Sequence, residues 1–416
     1  MTKEAESVKL PNSMNSLDPY YKKTIFYNYR GHDVSFRVSQ SLFSSHDIDV
    51  GTQRLLRTIT PEVFHTSTKV LDLGCGYGPL GISLSLAYQP SVVHMVDRDA
   101  LALWYSRQNA ELNSVGNTKI YGSLGYDDIT ESDFDLIVSN IPAKVGEPVL
   151  SHMLKDARFL LKPEGRVVIV VVDAIADYVT KVLNNQNINI LFRKSWPGHI
   201  VLHYKFATNA YTATKPEQSA FDHGVYNRGQ KIVSVDTSKI TIKTTYGLSE
   251  FDALSFETEL LFDCLNILKN QQIDKAIVFN LGQGYIPVAL SKVTKVKQIV
   301  LVDRDLQALK TSKMNLVSNN YFVGKISLSH QVGISLTNQD RIDCVIGILS
   351  KEDGPEVHAM FIKQIAAQLV SNGLALLVST STSITRIESL IRSKKLLKIL
   401  ERRRNKGKSA IILEHT

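Results

Sequence analysis

The sequence predicts two tandem α/β domains, each a mostly parallel sheet covered by helices on both faces and closed by an antiparallel edge pair. Three observations predict this. First, short apolar runs such as VVHMVD (92–97) and RVVIVVV (166–172) alternate with segments of helical period. Strands buried on both faces read that way. Second, the pattern is written twice. VLDLGCGYGPLGISLS from Val70 aligns with VFNLGQGYIPVALSKV from Val278, and VDRDALALWYSRQNAELN from Val96 with VDRDLQALKTSKMNLVSN from Val302. A repeat of that length is a copied domain. Third, the first copy closes on INILFRKSW and HIVLHYKF, which straddle Pro197–Gly198 and suit an antiparallel pair.

The elements follow in order. A hairpin opens the copy: KTIFYNY (23–29), a turn at Arg30–Gly31–His32, then VSFRV (34–38). A helix follows near VGTQRLLRTI (50–59), then the strand KVLDLG (69–74). Pro79 starts the next helix, where its missing N–H costs nothing. VVHMVD is a strand, ALALWYSRQNAELN (100–113) a helix, FDLIVSN (134–140) a strand, EPVLSHMLKDARFLL (147–161) a helix and RVVIVVV a strand. Further matches extend the repeat: VSFRVSQSLF with ITIKTTYGLS (240–249), Thr52 and Leu55 with Thr258 and Leu261, Gly165 with Gly373. The predicted division is a frayed start over 1–16, a first domain over 17–207, a polar linker over 208–229 and a second domain over 230–416.

Composition narrows the class. The chain has 416 residues and is 44% hydrophobic, enough for two cores. Its longest apolar run, VVIVVVDAIA, is too short to span a bilayer, and the polar first residues do not read as a signal peptide. Cys75, Cys264 and Cys344 are isolated, which excludes a disulfide framework and a cysteine zinc site. No metal is expected, and a reducing cytoplasm fits. Net charge is +8. The basic stretch ERRRNKGK (401–408) is either a solvated hairpin tip or an RNA-contacting patch.

The candidate chemistry lies in LDLGCGYGPLG. Gly74, Gly76 and Gly78 let a backbone turn approach a ligand at the carboxyl edge of the sheet. The glycines alone also fit a dinucleotide fingerprint, which keeps a nicotinamide dehydrogenase as a distant option. Three further features discriminate. Asp72, two residues before the first glycine, suits an amine-bearing ligand and would repel a pyrophosphate. Asp97 ends the next strand, where a carboxylate takes both ribose hydroxyls; its plainer reading is a strand-end cap. Asn140–Ile141–Pro142 ends a third strand beside the same cleft. An exocyclic base amine is a poor nucleophile because its lone pair is delocalised. The Asn140 side-chain oxygen and the Ile141 carbonyl can accept its N–H groups and aim the nitrogen, while Pro142 stiffens the turn and removes a competing donor.

That combination resembles the class I S-adenosylmethionine (SAM) methyltransferases, and in particular the ribosomal RNA guanine-N2 methyltransferases built from two tandem Rossmann-like domains of seven strands each. The resemblance implies that Gly74, Gly76 and Gly78 pass under SAM, that Asp72 faces its amino-acid end, and that Asp97 holds the ribose. It implies that Arg98 flanks the adenine, that Ser123 and Leu124 line the adenine edge, and that Asn140 borders cofactor and acceptor alike. LFSSHDIDVGTQRLL (42–56) resembles the segment that covers the cofactor, which would bring Asp49, Gly51 and Thr52 to the methionine end. The plainer reading is a loop and a helix cap at Thr52. In that family the motif reads Asn-Pro-Pro followed by an aromatic residue that stacks on the target base; here Ile141 replaces the first proline and Ala143 the aromatic residue. Lys144 either touches a phosphate or is solvated.

The second copy reads as silent. By letter alignment Asp72 becomes Asn280, Gly78 becomes Ile286, Asn140 becomes Ile348 and Pro142 becomes Ser350. Asp49 and Gly51 correspond to Ser255 and Glu257, while Asp303 keeps the place of Asp97. On the resemblance, this copy would dock RNA through Arg402, Arg403, Arg404, Lys406 and Lys408, in a monomer with an internal pseudo-dimer. The implied function is SAM-dependent methylation of an exocyclic amine of ribosomal RNA, at guanine N2. The alternatives are another planar nitrogen (a protein amide, a DNA base, a small metabolite) or a non-catalytic RNA-binding factor that retains a SAM pocket.

Overall fold

The computed structural model describes residues 18–44, 46–64, 68–207, 216–269, 271–336 and 341–416. The expectation for residues 1–16 lies outside these. The chain divides into two compact units, with Tyr21–Asn227 in the first and Arg228–Thr416 in the second.

The first unit opens with the hairpin β1 (Tyr21–Tyr29) and β2 (His32–Ser39), followed by α1 (Val50–Thr58). Then come β3 (Lys69–Leu73), α2 (Pro79–Tyr88), β4 (Val92–Asp97), α3 (Ala100–Leu112), β5 (Thr118–Gly122), β6 (Phe134–Asn140), α4 (Glu147–Lys155), β7 (Leu161–Val172), α5 (Asp173–Leu183), β8 (Ile188–Trp196) and β9 (His199–Phe206). Seven strands form one sheet in the order β5-β4-β3-β6-β7-β9-β8. Only the pairs β7·β9 and β8·β9 are antiparallel. The order reverses at β3 and β6, so the cleft lies at their carboxyl ends.

The second unit repeats the plan: β10 (Asn227–Val235), β11 (Ser238–Thr245), α6 (Phe256–Leu265), β12 (Gln272–Phe279), α7 (Tyr285–Val293), β13 (Lys295–Asp303), α8 (Leu306–Ser318), β14 (Ile326–His330), β15 (Ile342–Ile348), α9 (Pro355–Gln368), β16 (Leu369–Thr380), α10 (Ser381–Lys394), β17 (Lys398–Asn405) and β18 (Lys408–Glu414). Its sheet order is β14-β13-β12-β15-β16-β18-β17.

Each opening hairpin is a separate two-stranded sheet tied down by two asparagines. Asn109 on α3 accepts from the Arg37 N–H at 2.8 Å and donates to the Arg37 carbonyl at 3.0 Å and the Tyr77 carbonyl at 2.8 Å. Asn113 brackets Ser35 in the same way. In the second unit Asn315 and Asn319 do this for Lys243 and Thr241, and Asn315 also reaches the Gln283 carbonyl at 2.8 Å.

Several expected boundaries move. The helix expected over 147–161 ends as α4 at Lys155, and β7 starts at Leu161 rather than 166, with a register shift opposite Phe134 to Leu136. β5 and α5 are additional elements. β5 has no fully buried residue, so its apolar signal is weak, and α5 follows β7 without a loop. Of the expected linker 208–229, residues 208–215 lie outside the described residues. Asp127 accepts from the Ala220 and Phe221 N–H groups at 2.7 and 3.1 Å, and Tyr226 is buried, so the stretch from Ala220 to Tyr226 packs on the first unit.

The backbone also corrects the alignment at the glycine loop. Gly78 caps α2 at φ +97° and Gly284 caps α7 at φ +84°. Gly76 and Gly282 share φ values of +57° and +53°. Gly74, at +77°, is matched by Asn280 at +52°. The structural partner of Gly78 is therefore Gly284, not Ile286, and that of Asp72 is Val278, not Asn280. This pairing continues unbroken through α3 and α8, as Asn113 and Asn319 show. The copies first go out of step before β14, where the connection from α8 is two residues longer, and again between β16 and β18, where α10 is longer than α5.

Candidate active site

Three strand ends converge on the cleft. At the end of β3 the chain turns sharply because Gly74 and Cys75 both donate to the Val96 carbonyl, at 2.8 and 2.9 Å. Gly74 and Gly76 face open space: a Cβ built on either would meet nothing within 4 Å. Gly78 is constrained differently, since its Cβ would lie 2.7 Å from Ile82 and 2.9 Å from Met95. Two glycines thus keep the cleft clear, and the third lets α2 pack.

Asp72 is fully buried beneath α2. Its Oδ2 accepts from the Gly81 N–H at 2.8 Å, while Oδ1 has no hydrogen-bond partner among the described residues. Burial pushes its carboxyl up to about 7; the Gly81 N–H opposes the rise and the Asp97 charge adds to it. Half-buried Asp97 accepts from the Gly76 and Asp99 N–H groups, both at 2.9 Å, and burial raises it to about 6. Both folded values exceed the ordinary 3.8. The native state then holds protons that the unfolded chain has released, so stability is full below about pH 4 and falls as pH rises through about 6 to 7. Asp72→Asn is expected to flatten the decline. Melting scans across pH should show the variant above the parent at pH 8, converging by pH 4.

At the end of β6, the Asn140 side chain donates its Nδ2 to Asp49 Oδ2 at 2.8 Å and to Thr52 Oγ1 at 3.1 Å. The carboxamide is thereby held by its nitrogen, and no donor among the described residues reaches its oxygen. Asp49 does two jobs: it is the N-cap of α1, accepting from the Thr52 N–H at 3.2 Å, and it orients Asn140. The cap expected at Thr52 is therefore at Asp49, with Thr52 buried in the first turn. Gly51 is required by crowding. A Cβ there would lie 2.8 Å from Asp49 Oδ2 and 2.9 Å from the His199 ring. The Ile141 N–H donates to the Val170 carbonyl at 3.0 Å and the residue is buried; Pro142, Ala143 and Lys144 are exposed.

Ser123 and Leu124 lie at the end of β5. The Ser123 N–H donates to the Asp97 carbonyl at 3.0 Å and the Leu124 N–H to Asp128 at 2.9 Å. Arg98 is half-buried between the strand end and α3. Asp49, Gly51, Thr52 and Asn140 form one contact set, and Asp72, Gly76 and Asp97 line the neighbouring loop. His199 and Arg54 belong to the first set and were not anticipated; they stand about 145 positions apart, and no sequence motif joins them.

In the second unit the same places are filled. The Asn280 side chain, where Gly74 leaves space, donates to the Ile348 carbonyl at 2.6 Å. Glu257, in place of Gly51, pairs with Lys408. Arg402 is paired with Glu388 at 2.7 Å, and Arg403 with Glu401 at 2.8 Å and the Asp263 carbonyl at 2.7 Å. Of the expected RNA-contacting cations at this end, Arg404 and Lys406 are the exposed ones.

The model of the methyltransferase small domain matches residues 33–189 and 239–402, one segment in each unit. The chain belongs to this family. It is a methyltransferase, and SAM is its cofactor. The orphaned Asp72 oxygen, the open space over Gly74 and Gly76 and the half-exposed Asp97 suit such a cofactor in the first unit. Ribosomal RNA small subunit methyltransferase C of Actinobacillus pleuropneumoniae serotype 7 is 36% identical over 143 residues, 34% of this chain and 43% of that protein. Ribosomal RNA large subunit methyltransferase G of Shewanella loihica is 31% identical over 150 residues, 33% of this chain and 37% of that protein. The match therefore spans less than half the length of these relatives. The solved structure of the T. thermophilus 16S rRNA N2 G1207 methyltransferase with AdoMet and guanosine superposes over 96% of this chain and 99% of its own, at TM-score 0.65 and 16% identity. That likeness establishes the tandem fold along nearly the whole chain.

Proposed function

We propose that the first unit transfers a methyl group from SAM to an exocyclic base amine of ribosomal RNA, with guanine N2 as the acceptor. The observation that carries this reading is the Asn140 carboxamide, pinned by its nitrogen to Asp49 and Thr52 so that its oxygen is left to accept. SAM, when bound, supplies an electrophilic methyl. The protein's task is to hold a weak nucleophile in line with it. Asn140 Oδ1 and the Ile141 carbonyl accept the two amine N–H groups, and the Ile141 N–H bond to Val170 fixes that turn. The nitrogen becomes acidic only as the new bond forms, so water can take the proton and no strong side-chain base is needed. The names of the relatives and the guanosine in the T. thermophilus structure favour guanine in ribosomal RNA. The second unit, with its cleft filled by Asn280 and by Glu257–Lys408, acts as scaffold and RNA-docking partner.

The test uses the full chain, methyl-labelled SAM and ribosomal RNA from cells lacking the gene. N2-methylguanosine is the labelled nucleoside expected in the digest. Label in another nucleoside overturns the guanine assignment, and label in protein but not RNA overturns the RNA reading.

A further inference from the structure

The turn after Asn140 offers no aromatic ring: Pro142, Ala143 and Lys144 follow Ile141. An aromatic side chain stands further along the same edge. β6 is paired with β7, β7 with β9 at Val172 and His199, and β9 with β8 at His199 and Trp196. Trp196 is half-buried at the tip of the β8–β9 hairpin, on the carboxyl edge where Asn140 also lies. Three strand spacings of about 4.8 Å and a two-residue offset along β7 put its backbone roughly 16 Å from that of Asn140. That is too far to cover a base held by Asn140, and suits a nucleotide beside it.

Hairpin tips on a surface are usually loose, but this one is clamped from both sides. The Gly198 N–H donates to Asp173 at 2.9 Å, and the Asp173 N–H to the Gly198 carbonyl at 3.2 Å. Arg54 on α1 donates to the Pro197 carbonyl at 2.8 Å and lies 2.9 Å from His199 Nδ1. The Arg54 guanidinium stands 5.8 Å from the centre of the Trp196 ring and the Lys194 ammonium 4.8 Å from it. The contacts are continuous with the acceptor site, since His199 and Asp49 crowd Gly51 together and Asp49 holds Asn140. In the second unit this set is lost as a whole. Leu260 stands for Arg54, Lys408 for His199 and Asn405 for Trp196 by strand register, and Ile348 for Asn140.

We propose that Trp196 is a stacking platform for a nucleotide flanking the methylated base, with Arg54 and Lys194 beside it for the RNA backbone phosphates. A half-buried ring with cations close by is the combination that binds single-stranded nucleic acid. The proposal rests on the RNA reading above and deepens it by assigning a second contact to the acceptor strand.

The experiment compares wild type, Trp196→Ala and Trp196→Phe with ribosomal RNA from cells lacking the gene. Trp196→Ala is expected to raise KM for RNA by about 5- to 150-fold, the equivalent of one base–aromatic stack, with kcat at saturating RNA and SAM affinity close to wild type. Trp196→Phe should recover most of the loss. Emission offers a second readout, because the chain has two tryptophans and Trp104 is buried. RNA should quench wild type and not Trp196→Phe. An unchanged KM in Trp196→Ala, with the parent methylating RNA, overturns the platform alone. A parent that methylates no RNA overturns the RNA reading and the platform with it.

Discussion

Asn140→Ala is expected to lower kcat for methyl transfer by about 100-fold or more, the scale seen when one aimed polar group is removed from a reacting centre. SAM affinity should stay within about threefold of wild type. The acceptor nitrogen loses the oxygen that directs it, whereas Asp97 and the glycine loop are untouched. Single-turnover methylation and titration calorimetry on the same preparation separate the two. A matching fall in SAM affinity would make Asn140 a cofactor ligand rather than an acceptor ligand. Asp49→Ala is a poorer probe, because it also removes the α1 cap, worth about 1 kcal/mol.

Gly74→Asn should abolish SAM binding with little effect on folding. Asparagine tolerates positive φ better than most residues, and Asn280 adopts it at the matching position. The added side chain would enter space that is empty around Gly74. Calorimetry is expected to give one SAM per wild-type chain and none, or at least 100-fold weaker binding, for the variant; the melting temperature should shift by no more than a few degrees, about 1 kcal/mol. Two SAM per wild-type chain, or one remaining in the variant, would mean that the second cleft opens.

The sheets, their edge pairs and the duplication were legible because buried parallel strands leave dense apolar runs. β5 was not, since an edge strand with no buried residue leaves little trace. The glycine loop misled for a particular reason. LGCGYGP and LGQGYIP match letter for letter at five positions, yet the cap of α7 is Gly284 and the proline sits two residues into that helix. Dihedral angles and the bonds of Asn109 and Asn315 decide the pairing, and letters carry neither. The Asn140 motif was visible as a segment. Its partners Asp49 and Thr52 were read only through resemblance, and His199, Arg54 and Trp196 depend on strand pairing over long separations. Ion pairing at the basic end was not legible either: three of its five cations pair with carboxylates within their own unit.

The two asparagine staples have a practical bearing on dissecting the chain. Because each hairpin pairs with the asparagines of α3 or α8, whose side chains also hold the carbonyl of the adjoining turn, it is part of its own half. Cutting at the first strand of the large sheet would strip polar groups of their partners and unseat the loop on which the ligand rests. Separate expression of the halves calls for a break ahead of Asn227, with the small ribbon kept on the piece it braces.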